Sequence, residues 1–320
     1  MMFNLAVLTV SIALLGLPGV SALGPLPNQI KNLVTFGDSY TDVVITGDGG
    51  IAWPVYAAED GNFKLFPFAR SGATCSNNLT FRPFPSLFES QLPLYFTEKN
   101  NGSLRLDPEE TIYTLWIGTN DMGASAILTG DQEPGVTAVD VVSCSINWVT
   151  TLYQSGARNF LFQNMIPLQN TILYSADSYP NRYWTLQRNT TMWSDTMNEL
   201  VRTGNQISKM MLQALPATHP GAHIGLFDSH SLFEDILADP RKFLNGTVAP
   251  NTTGAIRSCV FQENENPDDP GNCTVVTGSA VDSYLWFDEL HPSEQTDRVV
   301  AREIAAAIRG SSSKYATWFS

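Results

Sequence analysis

Short apolar runs alternate along this chain with longer stretches of helical periodicity, and that alternation narrows the fold more than any other feature. Asn32–Phe36, Lys64–Phe68, Thr111–Ile117, Asn159–Gln163 and His223–Phe227 read as buried strands, the second of them the weakest. Val136–Tyr153 sets Val139, Val142, Ile146, Val149 and Tyr153 at helical steps, and Thr191–Leu215 does the same with Met192, Met197, Leu200, Ile207, Met210, Met211 and Leu215. Glu294–Ile308 follows, with Val300, Ile304 and Ile308 in one stripe. Ser293 is placed to cap that helix, and Glu294 and Asp297 suit the positive end of its dipole. Strands apolar on both faces need cover on both faces. Alternation with helices therefore predicts a parallel sheet between two helical layers, with sites at the strands' carboxyl ends.

Two motifs near opposite ends of the chain bring the chemistry. Phe36-Gly37-Asp38-Ser39-Tyr40-Thr41-Asp42 follows the first strand, so Ser39 is expected where a strand ends and a helix begins, its hydroxyl near free N–H groups. Phe287-Asp288-Glu289-Leu290-His291-Pro292-Ser293 offers an imidazole to take the serine proton and a carboxylate three residues away to fix its tautomer. Pro292 disfavours helical geometry at His291 and holds it on an extended segment. Gly118-Thr119-Asn120-Asp121 ends the third strand and presents an amide. Phe68-Ala69-Arg70-Ser71-Gly72-Ala73-Thr74 follows the second and offers a glycine N–H. Acyl transfer needs donors aimed at a tetrahedral oxyanion, and Ser39 N–H, Gly72 N–H and the Asn120 side chain supply three.

These motifs make the chain resemble the SGNH, or GDSL, hydrolase superfamily, named for the four residues matched here by Ser39, Gly72, Asn120 and His291. Asp288 matches the third triad member. The resemblance spans about residues 32 to 308, and its one departure is Tyr40, where the family name has Leu. It implies a three-layer α/β/α sandwich with a five-stranded parallel sheet, the flavodoxin-like SGNH hydrolase fold. Among branches the chain looks most similar to fungal secreted carbohydrate acetyl esterases. That likeness implies removal of acetyl groups from hemicellulose-derived oligosaccharides, an acylated carbohydrate as partner, and no cofactor or metal. A lipase or lysophospholipase on the same scaffold is the alternative. A catalytically inactive glycan-binding glycoprotein is the third reading, disfavoured because binding alone has no need of an aligned Ser, His and Asp.

Competing residues have plainer readings. His219 and His223 beside Pro220-Gly221 read as a surface turn. His230, in Asp228-Ser229-His230, is the one decoy for the base. Asp38 is expected to shape its turn and Asp121 to support its loop by hydrogen bonding. Gly47-Asp48-Gly49-Gly50 lacks the Lys and the context of a phosphate loop and reads as a turn. The aromatics Phe66, Phe68, Phe81, Phe84, Phe88 and Tyr95 read as loop packing, with a pocket wall as the alternative. The four histidines show no H-E-x-x-H pattern and the cysteines no paired short spacing, so no metal site is expected.

Residues 1–22 read as a secretory signal peptide, an apolar run from Leu5 to Val20 followed by Val20-Ser21-Ala22, although Met1-Met2-Phe3-Asn4 lacks the usual basic residue. Residues 23–320 read as one domain, with no Ser/Thr/Pro-rich linker and no repeat. Sequons at Asn78, Asn101, Asn189, Asn245, Asn251 and Asn272 favour a glycosylated, extracellular monomer with these side chains at the surface. Four cysteines allow two disulfides in three pairings. Cys259 and Cys273 bracket a polar loop and make the favoured pair, leaving Cys75 with Cys144; free buried thiols are the alternative. A net charge of −13 argues against nucleic acid or an anionic membrane as partner.

Overall fold

A computed structural model describes residues 24–269, 271–311 and 313–319; the signal-peptide reading falls outside them. In chain order the strands are β1 (Asn32–Gly37), β2 (Lys64–Pro67), β3 (Thr111–Trp116), β4 (Asn159–Gln163), β5 (His223–Phe227), β6 (Asn251–Ala255), β7 (Arg257–Val260), β8 (Asn272–Val275), β9 (Tyr284–Trp286) and β10 (Ala316–Trp318). The α-helices are α1 (Trp53–Gly61), α2 (Leu92–Asn100), α3 (Thr119–Met122), α4 (Ala138–Gln154), α5 (Thr190–Ala214), α6 (Ser229–Ala238) and α7 (Glu294–Ile308). The main sheet runs β10-β5-β4-β3-β1-β2. Its first five strands in sequence are mutually parallel, and β10 adds a short antiparallel edge against β5. The sheet thus has six strands rather than five. Three residues near the C-terminus carry too little pattern to read as a strand, and Trp318 packs in the space that the absent Cβ of Gly225 leaves open.

Parallel register places Phe36, Leu115, Tyr113 and Phe160 on one face, where Trp148 of α4 and Tyr95 of α2 cover them. Trp116 points to the other face and meets Trp53 of α1 and Phe233 of α6. On the outside of these layers α4 packs with α5, and α1 with α7. Burial on both faces explains why β1, β3 and β4 are almost wholly apolar or Thr. A buried side chain such as Trp116 or Phe36 contributes on the order of 2–3 kcal/mol relative to exposure.

Connectivity goes outward from β1 to β2 and then returns to β3 on the other side of β1, so the topology reverses between β1 and β3. Adjacent loops diverge there and leave a crevice at the carboxyl ends. Two smaller pairings lie beside it: β6 with β9, and the β7–β8 hairpin, in which Cys259 faces Cys273. The structure joins Cys259 to Cys273 and Cys75 to Cys144, leaving no free cysteine among the described residues. Among those residues no helix is long and apolar enough to cross a membrane. Five of the six sequon asparagines are exposed; Asn251, opening β6, is half-buried.

Candidate active site

Ser39 stands just beyond β1, at the reversal point. Gly37 has φ of +145° and its missing Cβ would lie 2.2 Å from the Trp116 carbonyl oxygen, so only glycine lets β1 and β3 end this close together. The chain then makes one turn, Thr41 and Asp42 N–H donating to the Asp38 carbonyl. No helix follows, contrary to expectation. Asp42 draws the chain away by accepting from the N–H groups of Val44, Ile45 and Ser71, and β-branched residues and glycines fill the stretch before α1. Asp38 shapes the turn through Tyr40 N–H, 3.1 Å from Oδ1. Burial, reinforced by the neighbouring Asp121, pushes Asp38 up to about 7 against its backbone hydrogen bond.

His291 and Asp288 arrive from the segment before α7. The His291 Nε2 lies 2.8 Å from Ser39 Oγ, and Nδ1 lies 3.0 Å from Asp288 Oδ1. A proton on Nδ1 donated to Asp288 leaves Nε2 as the acceptor facing the serine. Asp288 Oδ1 also accepts from the N–H groups of Leu290 and His291. Burial alone would raise Asp288, but His291 and these donors outweigh it and hold its carboxyl below the usual value. Burial would likewise lower His291; the Asp288 charge and hydrogen bond prevail, and its pKa rises above 6.5.

The other predicted residues line the same crevice. Gly72 has φ of +78°, and a Cβ there would meet the Phe84 ring at 2.5 Å. Neither Ser39 N–H nor Gly72 N–H has a hydrogen-bond partner among the described residues. Asn120 Nδ2 gives one hydrogen to the Ala73 carbonyl at 3.0 Å, which leaves the second for a ligand. Asp121 supports the loop by accepting from Cys75 N–H at 2.8 Å, and burial pushes it up to about 7. A cavity of about 530 Å³ joins Ser39, Gly72, Asn120, Asp288 and His291.

Some residues of the site carried no local signal. Tyr183 donates to Asp288 Oδ2 from a loop 105 residues away, and its oxygen is 3.1 Å from His291 Nδ1. Arg82 Nη1 donates to Asn120 Oδ1 at 2.9 Å, fixing which end of that amide faces the cavity. Tyr40 donates to the Leu290 carbonyl at 2.8 Å and sets its ring edge-on to His291, tying the serine turn to the histidine segment. The glycine-rich turn lies against the same histidine: a Cβ on Gly47 would meet the His291 ring at 2.4 Å. Its Asp48 packs with Asp297, two buried carboxyls whose facing oxygens find no other partner among the described residues. Burial, with Asp48 beside it, holds Asp297 well above its usual value, while Glu294 and Asp297 both lie in the first turn of α7 as expected.

His230 stands apart from the cavity; its N–H donates to Asn164, and its ring lies 3.6 Å from Glu234. His219 is buried rather than at a surface turn, bonded to Thr150 and Leu215. Of the aromatics, Phe68 and Tyr95 belong to the core, and Phe84 is a cavity wall.

A doubly wound α/β sheet with its crevice at the reversal point, and a hydroxyl, an imidazole and a carboxylate aligned there, define a hydrolase of the acyl-transfer class. Residues 33–304 match the GDSL-like Lipase/Acylhydrolase family, and the chain belongs to it. It is a carboxylic ester hydrolase. An acetylesterase of Hypocrea jecorina is 29% identical, covering 93% of this chain and 94% of that one. An acetylesterase of Thermothelomyces thermophilus is 23% identical over 95% and 97%. A catalytic mutant of Axe2, an acetylxylan esterase from Geobacillus stearothermophilus, superposes over 89% of this chain and 97% of its own at 13% identity. The TM-score of that superposition is 0.46.

Proposed function

We propose that this protein is a secreted acetyl esterase that deacetylates hemicellulose-derived oligosaccharides through an acyl-serine intermediate. The observation that carries the reading is the continuous line Asp288–His291–Ser39 opening into a cavity beside two unengaged backbone N–H groups. Ser39 Oγ attacks the ester carbonyl while His291 Nε2 takes its proton. The oxyanion is held by Ser39 N–H, Gly72 N–H and Asn120 Nδ2. His291 then returns the proton to the departing alcohol, leaving acyl-Ser39. Water, deprotonated by His291, attacks in turn, and His291 returns that proton to Ser39 Oγ as the acid leaves.

The acetyl assignment draws support from the two acetylesterase relatives, each aligned over nearly the whole chain. Two disulfides and exposed sequons support an oxidising, extracellular setting. The test is kcat/KM across esters of graded acyl length and acetate release from acetylated xylo- or manno-oligosaccharides, with Ser39→Ala alongside. Acetyl esters should lead, and Ser39→Ala should fold normally and lose turnover by several orders of magnitude. A preference for long acyl chains that rises above the micelle threshold would replace this reading with a lipase.

A further inference from the structure

Three arginines line the cavity of a protein whose net charge is −13: Arg82, Arg182 and Arg257. Among the described residues Asp288 is the one carboxylate lining it, and that group is already engaged by His291 and Tyr183. Arg82 is committed to the Asn120 amide. Arg182 and Arg257 are different. Among the described residues neither guanidinium has a hydrogen-bond acceptor or a carboxylate within ion-pair distance; Arg182 lies over the Tyr183 ring, and its charge also bears on His291. An acidic chain that leaves two cations uncompensated at the rim of its site has concentrated there a field for an anion.

Which part of the substrate meets that field follows from the proton path. His291 must hand its proton to the leaving oxygen, so the alcohol portion of the ester lies on the His291 side, away from the oxyanion donors. Arg182 adjoins Tyr183, whose hydroxyl contacts both Asp288 and His291. Arg257 donates its backbone N–H to the Phe287 carbonyl, one residue before Asp288. Phe84, Gly72, Asn120 and Arg82 occupy the oxyanion side. Both free arginines therefore face the alcohol and not the acyl group. The geometry points to Arg182 and Arg257 as a subsite for a carboxylate on the alcohol portion, so that the preferred substrates are acetylated oligosaccharides bearing a uronic acid. This rests on the acetyl esterase reading. Guanidinium groups are suited to it because their planar fork matches a carboxylate and stays charged at every working pH.

The experiment compares kcat/KM on two acetylated xylo-oligosaccharides that differ by a glucuronic acid branch, with the carboxyl-reduced form of the branched one as control. The acidic substrate should be favoured roughly tenfold, the scale of one charge-assisted hydrogen-bonded contact. The preference should sit mainly in KM, shrink with added salt and vanish on carboxyl reduction. Arg182→Gln and Arg257→Gln should each bring the ratio toward one, while the Lys replacements retain part of it. Equal turnover of acidic and neutral oligosaccharides, or a preference that survives both Gln changes, overturns the subsite and leaves the acetyl esterase standing. Hydrolysis of neither, with turnover of a phosphate-bearing glycerol ester, overturns both and assigns the arginines to a phospholipid headgroup.

Discussion

At the residue scale the site is a set of donors and acceptors each held by a second group. Arg82 is the least expected. By binding Asn120 Oδ1 it blocks the amide flip and strengthens the opposite N–H as a donor, an effect that matters only once negative charge develops on the substrate oxygen. Arg82→Met should lower kcat by roughly ten- to a hundredfold with little change in KM, and Arg82→Lys should recover part of the loss. Steady-state kinetics of the two variants check it. On the proposed mechanism His291 sets the pH dependence. Its neutral form would accept the serine proton, and the Asp288 charge raises its pKa above the usual 6.5, so activity should fall as pH drops through a midpoint above that value. Asp288→Asn removes the charge that raises it and leaves burial dominant, so the midpoint of the residual activity should move below 6.5. A pH–rate profile that is unchanged in Asp288→Asn would remove Asp288 from its role. The Ser39, His291 and Asp288 contacts were legible because short motifs encode them. Tyr183 and Arg82 were not, because a Tyr and an Arg in loops look like any others until tertiary structure brings them to a carboxylate and an amide.

At the element scale the β7–β8 hairpin links stability to the site. The Cys259–Cys273 bridge closes 14 residues, and Cys259 N–H donates to the buried Glu289, next to Asp288. The same hairpin carries Arg257 to the cavity rim. Replacing both cysteines of this pair with Ser should destabilise by about 3 kcal/mol through the unfolded chain. It should also raise KM for acetylated oligosaccharides more than for a small aryl acetate, since the hairpin borders the alcohol side. Denaturant titration and the two KM values check it. The five parallel strands and the three long helices α4, α5 and α7 were readable to within two residues at each end because each is one uninterrupted pattern, whereas β6 to β10 carry no such pattern. The helix expected after Ser39 was not there: Asp42 satisfies three backbone N–H groups of the surrounding loops, a competition that helix-start signals do not register.

At the scale of the whole molecule, buried acids favour a mildly acidic medium. Burial pushes Asp38 and Asp121 up to about 7 from the ordinary 3.8, and it also holds Asp297 well above that ordinary value. Groups with raised pKa bind more protons folded than unfolded, so stability falls as pH rises from about 4 toward 7. His291, also raised, loses its contribution in the same direction as pH climbs through its folded value. Asp288, lowered in the fold, contributes stability that is present across this range and lost only in strong acid. Self-repulsion of a chain at −13 adds to the trend at high pH. The melting temperature should therefore be higher at pH 5 than at pH 8 by roughly 5 °C or more, the scale of a few kcal/mol in a chain of this size. Calorimetric scans at the two pH values measure this, and a higher value at pH 8 would contradict it.

The sequence by itself determined the layered α/β class, the five parallel strands and the four motifs, because each rests on local periodicity or on a few adjacent residues. Tertiary structure alone decided the sixth strand, the buried packing of Asp48 against Asp297, the hydrogen bonds of Tyr40, Tyr183 and Arg82, and the arginines that line the cavity. These depend on groups tens to hundreds of residues apart meeting in low dielectric, where one hydrogen bond or one missing counter-ion decides protonation and orientation. No local pattern records such a meeting; burial and chain crossing create it.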